Sequence, residues 1–505
     1  VNPSLLFLSL LFLFNGCLAR QTFSSQQSQN ECQINRLRAS APQTRIRSEA
    51  GTTEWWNPNC QQLRCAGVSV MRQTIEPNGL VLPSFTNAPQ LLYIVQGRGI
   101  QGIVMPGCAE TFQDSQQWQH QSRGRFQDQH QKVRRFRQGD IIALPQGVVH
   151  WSYNDGNERV VTINLLDTGN SANQLDNIPR RFHLAGNPEE EQRQLRRLAQ
   201  QMQGRSERGE ESEEEEGEGE EEEEEDNPSR RSRHQEEEEQ GRESSSCNNL
   251  LCAFDRNFLA QAFNVDHDII RKIQRVRGNR GTIIRVRDRL QVVTPPRMEE
   301  EEREERQQEQ RYRHTRGGSQ DNGLEETFCS MRIKENLADP ERADIFNPQA
   351  GRISTLNRFN LPILQRLELS AERGVLYNRA GLIPQWNVNA ILYMLRGCAR
   401  VQVVNHNGDA VFDDNVEQGQ LLTVPQNFAF MKQAGNEGAE WISFFTNSEA
   451  TNTPMAGSVS FMRALPEEVV AASYQVSRED ARRIKFNNKN TFFFTPSQSE
   501  RRADA

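Results

Sequence analysis

Hydrophobic positions along this chain come in short runs that occur twice, in the same order. In Gly139–Asn154, GDIIALPQGVVHWSYN, an apolar run over Asp140–Leu144 leads into Pro145, Gln146 and Gly147 and then a second run, Val148–Tyr153. Proline presets φ and glycine tolerates positive φ, so the spacing predicts strand, tight reversal, strand. Gly419–Ala434, GQLLTVPQNFAFMKQA, has the same outline, with Asn427 in place of Gly147, Phe430 in place of His150 and Ala434 in place of Asn154. QLLYIVQGRG at Gln90–Gly99 is matched by AILYMLRGCA at Ala390–Ala399, and NERVVTINLL at Asn157–Leu166 has a rougher echo in NEGAEWISFF at Asn436–Phe445. FLAQAFNVDHDIIRKI at Phe258–Ile273 aligns without gaps on VVAASYQVSREDARRI at Val469–Ile484. Blocks repeated in one order imply an internal duplication. Their β-branched and aromatic runs, broken by Gly, Pro and Asn, make each copy a β-rich unit followed by a helix. Sheets of this kind close their own edges as barrels or jelly rolls. The expected fold is mainly β: two jelly-roll barrels, each followed by a helical extension.

The finer pattern places the elements. Ala39–Met105 and Phe136–Leu166 supply the strands of the first barrel, interrupted by a Gln-, His- and Arg-rich insertion at Gln113–Gln131, and Asn177–Gly186 leads out of it. Gln192–Gln203 reads as a short helix. Phe258, Ala262, Val265, Ile269 and Ile273 fall at three- and four-residue spacings, which predicts one amphipathic helix. Gly281–Val293, GTIIRVRDRLQVV, alternates and predicts a half-exposed strand. The second barrel runs from about Glu325 to Phe461, with its helix near Pro466–Phe486. The expected divisions are 1–19 leader, 30–190 first barrel, 191–246 acidic insertion, 247–295 helical extension and strand, 296–322 linker, 323–465 second barrel, 466–490 helical extension and 491–505 tail.

Composition changes this picture in three places. Only 35% of the 505 residues are hydrophobic and the mean hydropathy is -0.78, too polar for packing throughout. The unpacked part is Arg205–Ser246 and Glu299–Gln320, where runs of Glu repel one another and bury nothing; these are expected to be disordered and to be cut first by proteases. A net charge of -8 argues against a nucleic-acid partner. Leu5–Phe14 is an apolar run too short to span a bilayer, followed by a cleavage position at Ala19–Arg20; it reads as a secretory signal peptide, and no other long apolar segment points to a membrane. Secretion permits disulfides, and of nine Cys eight remain after Cys17 leaves, but the sequence alone does not pair them. The pairs Cys60/Cys65 and Cys247/Cys252 lack the further partners of a zinc site.

The spacing of Gly139, Pro145, Gly147, His150 and Asn154 resembles the second motif of the cupin superfamily at every fixed position. Enzymatic members of that superfamily hold a metal with two His and a Glu from a first motif and one His from the second. Here the first-motif stretch, Gly79 followed by LVLPSFTNAPQLLYIVQG, puts Phe85 and Asn87 at the paired His positions and a Leu at the Glu position. Gly374 followed by VLYNRAGLIPQWNVNA has no His either. A transition metal needs several donors converging on it, so His150 alone is expected to be structural, with no metal, no cofactor and no catalytic residue in either barrel. No Gly-x-Ser-x-Gly elbow, P-loop or dinucleotide fingerprint is present.

Nitrogen is the remaining chemical signal. Only six of the 60 basic residues are lysine, leaving 54 arginines, and Gln and Asn are abundant. GSQDNGLEETFC, spanning Asn322–Gly323 and Cys329, resembles the processing junction of legumin-type (11S) seed storage globulins. ECQINRL at Glu31–Leu37, CAGVSV at Cys65–Val70, NAPQLLYIVQGRG at Asn87–Gly99, PGC at Pro106–Cys108 and SREDARRIKFNN at Ser477–Asn488 resemble other signatures of that family. The resemblance implies a non-catalytic reserve protein and food allergen in the protein storage vacuole. It also implies cleavage between Asn322 and Gly323 by an asparaginyl endopeptidase, a homotrimer that becomes a hexamer after that cut, and bridges Cys32–Cys65 and Cys108–Cys329. Cys60, Cys247, Cys252 and Cys398 depart from the pattern, and a local Cys247–Cys252 bridge is one outcome. The alternatives are a secreted metal-dependent cupin enzyme of the germin or oxalate oxidase type, which bound manganese would indicate, and a vicilin-type globulin, against which the Asn322 junction and the cysteines speak.

Overall fold

In the computed structural model, residues 34–110, 133–194, 249–274, 280–288 and 331–495 are described, with a few isolated positions besides, among them Cys32 and Cys329. Ala19, Arg20, Cys247, Asn322, Gly323 and both acidic stretches lie outside the described residues, as does most of the 113–131 insertion.

The first barrel is built from two antiparallel sheets. One runs Thr44–Ser48, Gly51–Trp55, Ser69–Ile75, Val160–Leu166, Gln90–Gln96, Asp140–Leu144 and Lys334–Asn336. The other runs Arg181–His183, Gly79–Thr86, Val149–Tyr153, Arg98–Val104 and Val133–Arg137, with Ile283–Arg285 added along Gly79–Thr86. The second barrel is one continuous sheet because two of its strands are long: Ala390–Val404 and Ala429–Phe445 pair along almost their whole lengths. Register shifts near Leu395 and Cys398 turn the ribbon from one face of the barrel to the other. Gly397 (φ 69°) stands at that bend, and a β-carbon there would lie 2.2 Å from the Gly438 carbonyl oxygen. In the first barrel the corresponding ribbon is broken at Gly97 (φ 87°), between Gln90–Gln96 and Arg98–Val104.

The duplicated runs occupy matching places. Gln90–Gln96 lies between Asp140–Leu144 and Val160–Leu166, as the start of Ala390–Val404 lies between Leu421–Val424 and the end of Ala429–Phe445. One apolar cluster joins the barrels, containing Tyr93, Ile163 and Leu165 of the first and Leu364, Leu367, Ile391 and Phe444 of the second, all buried. A separate cluster around Leu382, Leu392, Met394, Val401, Phe430 and Trp441 fills the second barrel.

Several expectations are corrected. Phe258–Ile273 is two helices, Arg256–Phe263 and His267–Gln274, because Asn264 takes a left-handed conformation (φ 51°) that ends the first. Val469–Ile484 divides in the same way at Gln475 (φ 54°), into Glu467–Tyr474 and Arg478–Phe486. The break also turns the apolar stripe: Leu259, Ala260 and Ile270 are buried, whereas Phe258, Phe263 and Ile269 face outward. Among the described residues of Gly281–Val293, strand is present only over Ile283–Arg285. The segment after Asn177 is more than a way out: Arg181–His183 is a strand of the first barrel, and helix is present at 189–194, earlier than the Gln192 start expected.

Candidate functional site

The place where a cupin barrel would carry chemistry is the strand–turn–strand around His150. Gly147 (φ 72°) makes the reversal, and its N–H donates to the Thr86 carbonyl at 3.0 Å. Asn154 fixes the far end: its side-chain amide donates to the carbonyls of Ile75 (3.0 Å) and Glu158 (2.7 Å), and its oxygen accepts from Gly156 N–H. This explains an asparagine at that position. In the second copy Asn427 reaches the left-handed turn conformation (φ 63°) without glycine, as short amide side chains can.

Register brings His150, Ser84 and His183 into one row across three neighbouring strands. All three are buried, and Arg181 and Glu191 join them. Arg181 Nη1 lies 3.1 Å from Glu191 Oε1, His183 Nε2 lies 3.4 Å from Glu191 Oε2, and both members of the Arg181–Glu191 pair are 2% exposed. Burial would raise the Glu191 carboxyl, but Arg181 and His183 outweigh it and hold it at about 2. Burial, reinforced by the Arg181 charge, pushes His150 down to about 4, so its imidazole is neutral near pH 7. Thus the carboxylate beside His183 is engaged by a guanidinium. Among the described residues no three His, Cys, Asp or Glu side chains are grouped to hold a metal ion.

The positions compared with metal-binding His hold the wall together instead. The Phe85 ring stacks on Phe182 at 4.9 Å. The Asn87 amide donates to Asn173 Oδ1 (3.2 Å) and to the Ile178 carbonyl (3.1 Å), and its oxygen accepts from Arg180 N–H (2.9 Å).

The second barrel holds a different charge. Lys432 is buried, with Nζ 4.4 Å from the Trp441 ring centroid and 5.1 Å from that of Phe430, the residue at the His150 position. Glu372, also buried, accepts from Trp441 Nε1 (3.3 Å) and from the Asn452 amide (2.7 Å). Burial pushes Lys432 down to about 8, against the opposing pull of Glu372. Sequence reading missed Arg181, His183, Glu191, Glu372 and Lys432. A signal existed for three of them: Arg181 and His183 alternate around an aromatic, and Lys432 is a rare lysine in an apolar run.

Cys32 and Cys65 are bridged, with Cα atoms 5.3 Å apart, and so are Cys108 and Cys329, 5.5 Å apart and 221 residues distant in sequence. The Gln131 amide holds the Cys108 turn, donating to the carbonyls of Met105 (3.0 Å) and Cys108 (2.8 Å). Cys252 is also disulfide-bonded, while Cys60 and Cys398 are free thiols. A cavity of about 530 Å³ lies outside both barrels, on the first helical pair, lined by Phe254, Arg256, His267 and Arg271 among others.

Two jelly-roll barrels joined through a shared core, with interior charges engaged by neighbouring side chains, define a duplicated β-barrel scaffold. The cupin family model matches residues 37–190 and 335–482. Legumin A of Gossypium hirsutum is 99% identical to this chain over the whole of both sequences. The 11S globulin seed storage protein 1 of Carya illinoinensis is 50% identical, over 98% of this chain and 97% of that one. The crystal structure of the coconut allergen cocosin matches with a TM-score of 0.72 at 40% identity, covering 92% of this chain and 100% of that one. The chain belongs to the cupin family and, within it, to the legumin-type 11S seed storage globulins.

Proposed function

We propose that this protein is a reserve of nitrogen and amino acids laid down in seeds, that it catalyses no reaction, and that it shares the allergenic character named for its coconut relative. The observation that carries the reading is full-length identity to storage globulins. The barrel interiors support it over the germin-type alternative: Glu191 is taken up by Arg181, and Glu372 by Trp441 and Asn452. An arginine-rich basic complement stores more nitrogen per residue than lysine would. No helix among the described residues is long and apolar enough to cross a membrane. In this reading the leader ending at Ala19 directs the chain through the secretory pathway to the storage vacuole. There an asparaginyl endopeptidase cuts between Asn322 and Gly323.

Electrophoresis tests the processing. With reductant, one band of the mature protein is expected to resolve into a larger chain beginning near Arg20 and a smaller one beginning at Gly323. A single band of unchanged size contradicts the cut. Asn322→Ala is expected to leave an uncut chain that forms trimers and does not proceed to hexamers.

The helical pairs support the trimer. Phe258, Phe263 and Ile269 on the first pair, and Val469, Tyr474, Ile484 and Phe486 on the second, are exposed large apolar side chains. Such faces are usually covered by a partner. We infer that the first pair of one protomer packs on the second pair of the next, closing a head-to-tail ring. Because Phe263 and Ile484 face outward, Phe263→Asp with Ile484→Asp is expected to leave a folded monomer by light scattering and circular dichroism. Trimers that persist overturn this interface.

A further inference from the structure

The boundary between the two halves of the chain is not the boundary between the two barrels: each half sends a segment into the other. From the N-terminal half, Leu37 N–H donates to the Val411 carbonyl at 2.9 Å, and Ser40 and Leu421 exchange both backbone bonds, at 3.0 and 2.9 Å. Ile34 and Leu37 are buried within the apolar cluster of the second barrel, together with Val411 and Leu422. From the C-terminal half, Lys334–Asn336 is the outermost strand of the first barrel's seven-stranded sheet, antiparallel to Asp140–Leu144. Ala143 N–H donates to the Ile333 carbonyl (2.8 Å) and Leu337 N–H to the Gly139 carbonyl (2.9 Å). Ile333 and Leu337 are buried. Lys334 Nζ donates to the Arg135 carbonyl at 2.7 Å and lies 3.8 Å from Asp140 Oδ2, while Asp140 Oδ1 accepts from the Asn336 amide at 2.7 Å. Between these two arms Trp56 meets Tyr393 edge-on at 5.9 Å, and the Asn170 amide donates to the Leu367 carbonyl at 2.9 Å.

We propose that this exchange is a clasp that keeps the C-terminal polypeptide on the N-terminal one once the backbone between them is cut, and that the Cys108–Cys329 bridge is dispensable for it. Adding a strand to a sheet edge while burying alternate side chains is a general mode of peptide capture. Here each half is receptor for one arm and donor of the other. Releasing one arm therefore leaves its partner held at high effective concentration, and separation requires both to open together. The clasp builds on the processing reading, but a cut made by any protease in 318–323 engages it equally.

The test replaces residues 318–323 with the recognition site of a sequence-specific protease and cuts the folded full chain, with and without Cys108→Ser. Denaturing electrophoresis verifies the cut. In size exclusion without denaturant, both polypeptides of the cut Cys108→Ser protein are expected to co-elute in one peak, at the volume of the cut protein that retains Cys108, and to part only in urea. A C-terminal polypeptide that elutes separately without denaturant overturns the clasp. Leu37→Asp is expected to lower the urea concentration at which the cut Cys108→Ser chains separate, and an unchanged midpoint removes the N-terminal arm from the clasp. Failure of the natural cut at Asn322 is seen independently, as a single reduced band from the unmodified protein, and leaves the engineered result standing.

Discussion

Glu191→Gln is expected to destabilise the first barrel by roughly 3–5 kcal/mol, because it leaves the Arg181 guanidinium buried beside a neutral amide. The wild-type pair does not owe its effect to attraction alone. Both groups are almost fully withdrawn from water, so each makes the other's burial tolerable, and removing one exposes the full desolvation cost of its partner. In calorimetry the melting temperature should fall by on the order of 10 °C. Replacing both residues, as Arg181→Met with Glu191→Leu, should cost far less. A Glu191→Gln protein that melts with the wild type contradicts this account. The pH dependence follows with its sign. The Glu191 carboxyl sits at about 2 instead of its ordinary 4.5, so its contribution is present above 4.5 and is lost as pH falls toward 2. His150, held at about 4 against an ordinary 6.5, takes a proton more readily in the unfolded chain, so stability is also lost as pH falls from 6.5 to 4. Acid titration of the wild type should therefore show losses over both ranges, and Glu191→Gln should lack the lower one.

Lys432→Met is expected to stabilise the second barrel at pH 7. Holding Lys432 at about 8 rather than 10.5 means that its ammonium is charged in the folded barrel at a cost on the order of 3 kcal/mol. Contact with the rings of Trp441 and Phe430 returns part of that, and the buried Glu372 keeps its bonds from Trp441 and Asn452 once the ammonium is gone, leaving a net gain from methionine of about 1–3 kcal/mol. The unfolded chain binds the proton more tightly between pH 8 and 10.5, so wild-type stability rises with pH across that window and the advantage of methionine shrinks. Urea unfolding of the two proteins at pH 7 and pH 10 checks this. A difference that is the same at both pH values would show that methionine acts through packing alone.

Why one part of the structure could be read from the sequence and another could not follows from the range of the forces involved. The paired runs Gln90–Gly99 and Ala390–Ala399 declare strand by composition and declare equivalence by repetition, and both sit at the same place in their barrels. The turn at Pro145–Gly147 is equally local. Helical spacing runs through Phe258–Ile273, yet Asn264 carries no marking that separates a left-handed helix end from an ordinary helical asparagine, so the break and the rotated face are not legible in the sequence. The Arg181–Glu191 pair depends on a strand that returns to Gly79–Thr86 after a long excursion, and only the folded sheet brings the two charges beside His150. The same holds for Lys334–Asn336. Its composition does not disclose that its partner is Asp140–Leu144, in the other half of the chain.

The most direct test of the storage reading is to quantify this polypeptide by mass spectrometry in seeds through maturation and seedling growth. It is expected to accumulate to a major share of seed protein, as bridged chains beginning near Arg20 and at Gly323, and then to fall ahead of bulk protein as the seedling grows. A constant trace level through both phases, or purified protein carrying stoichiometric manganese and turning over a substrate, would contradict it.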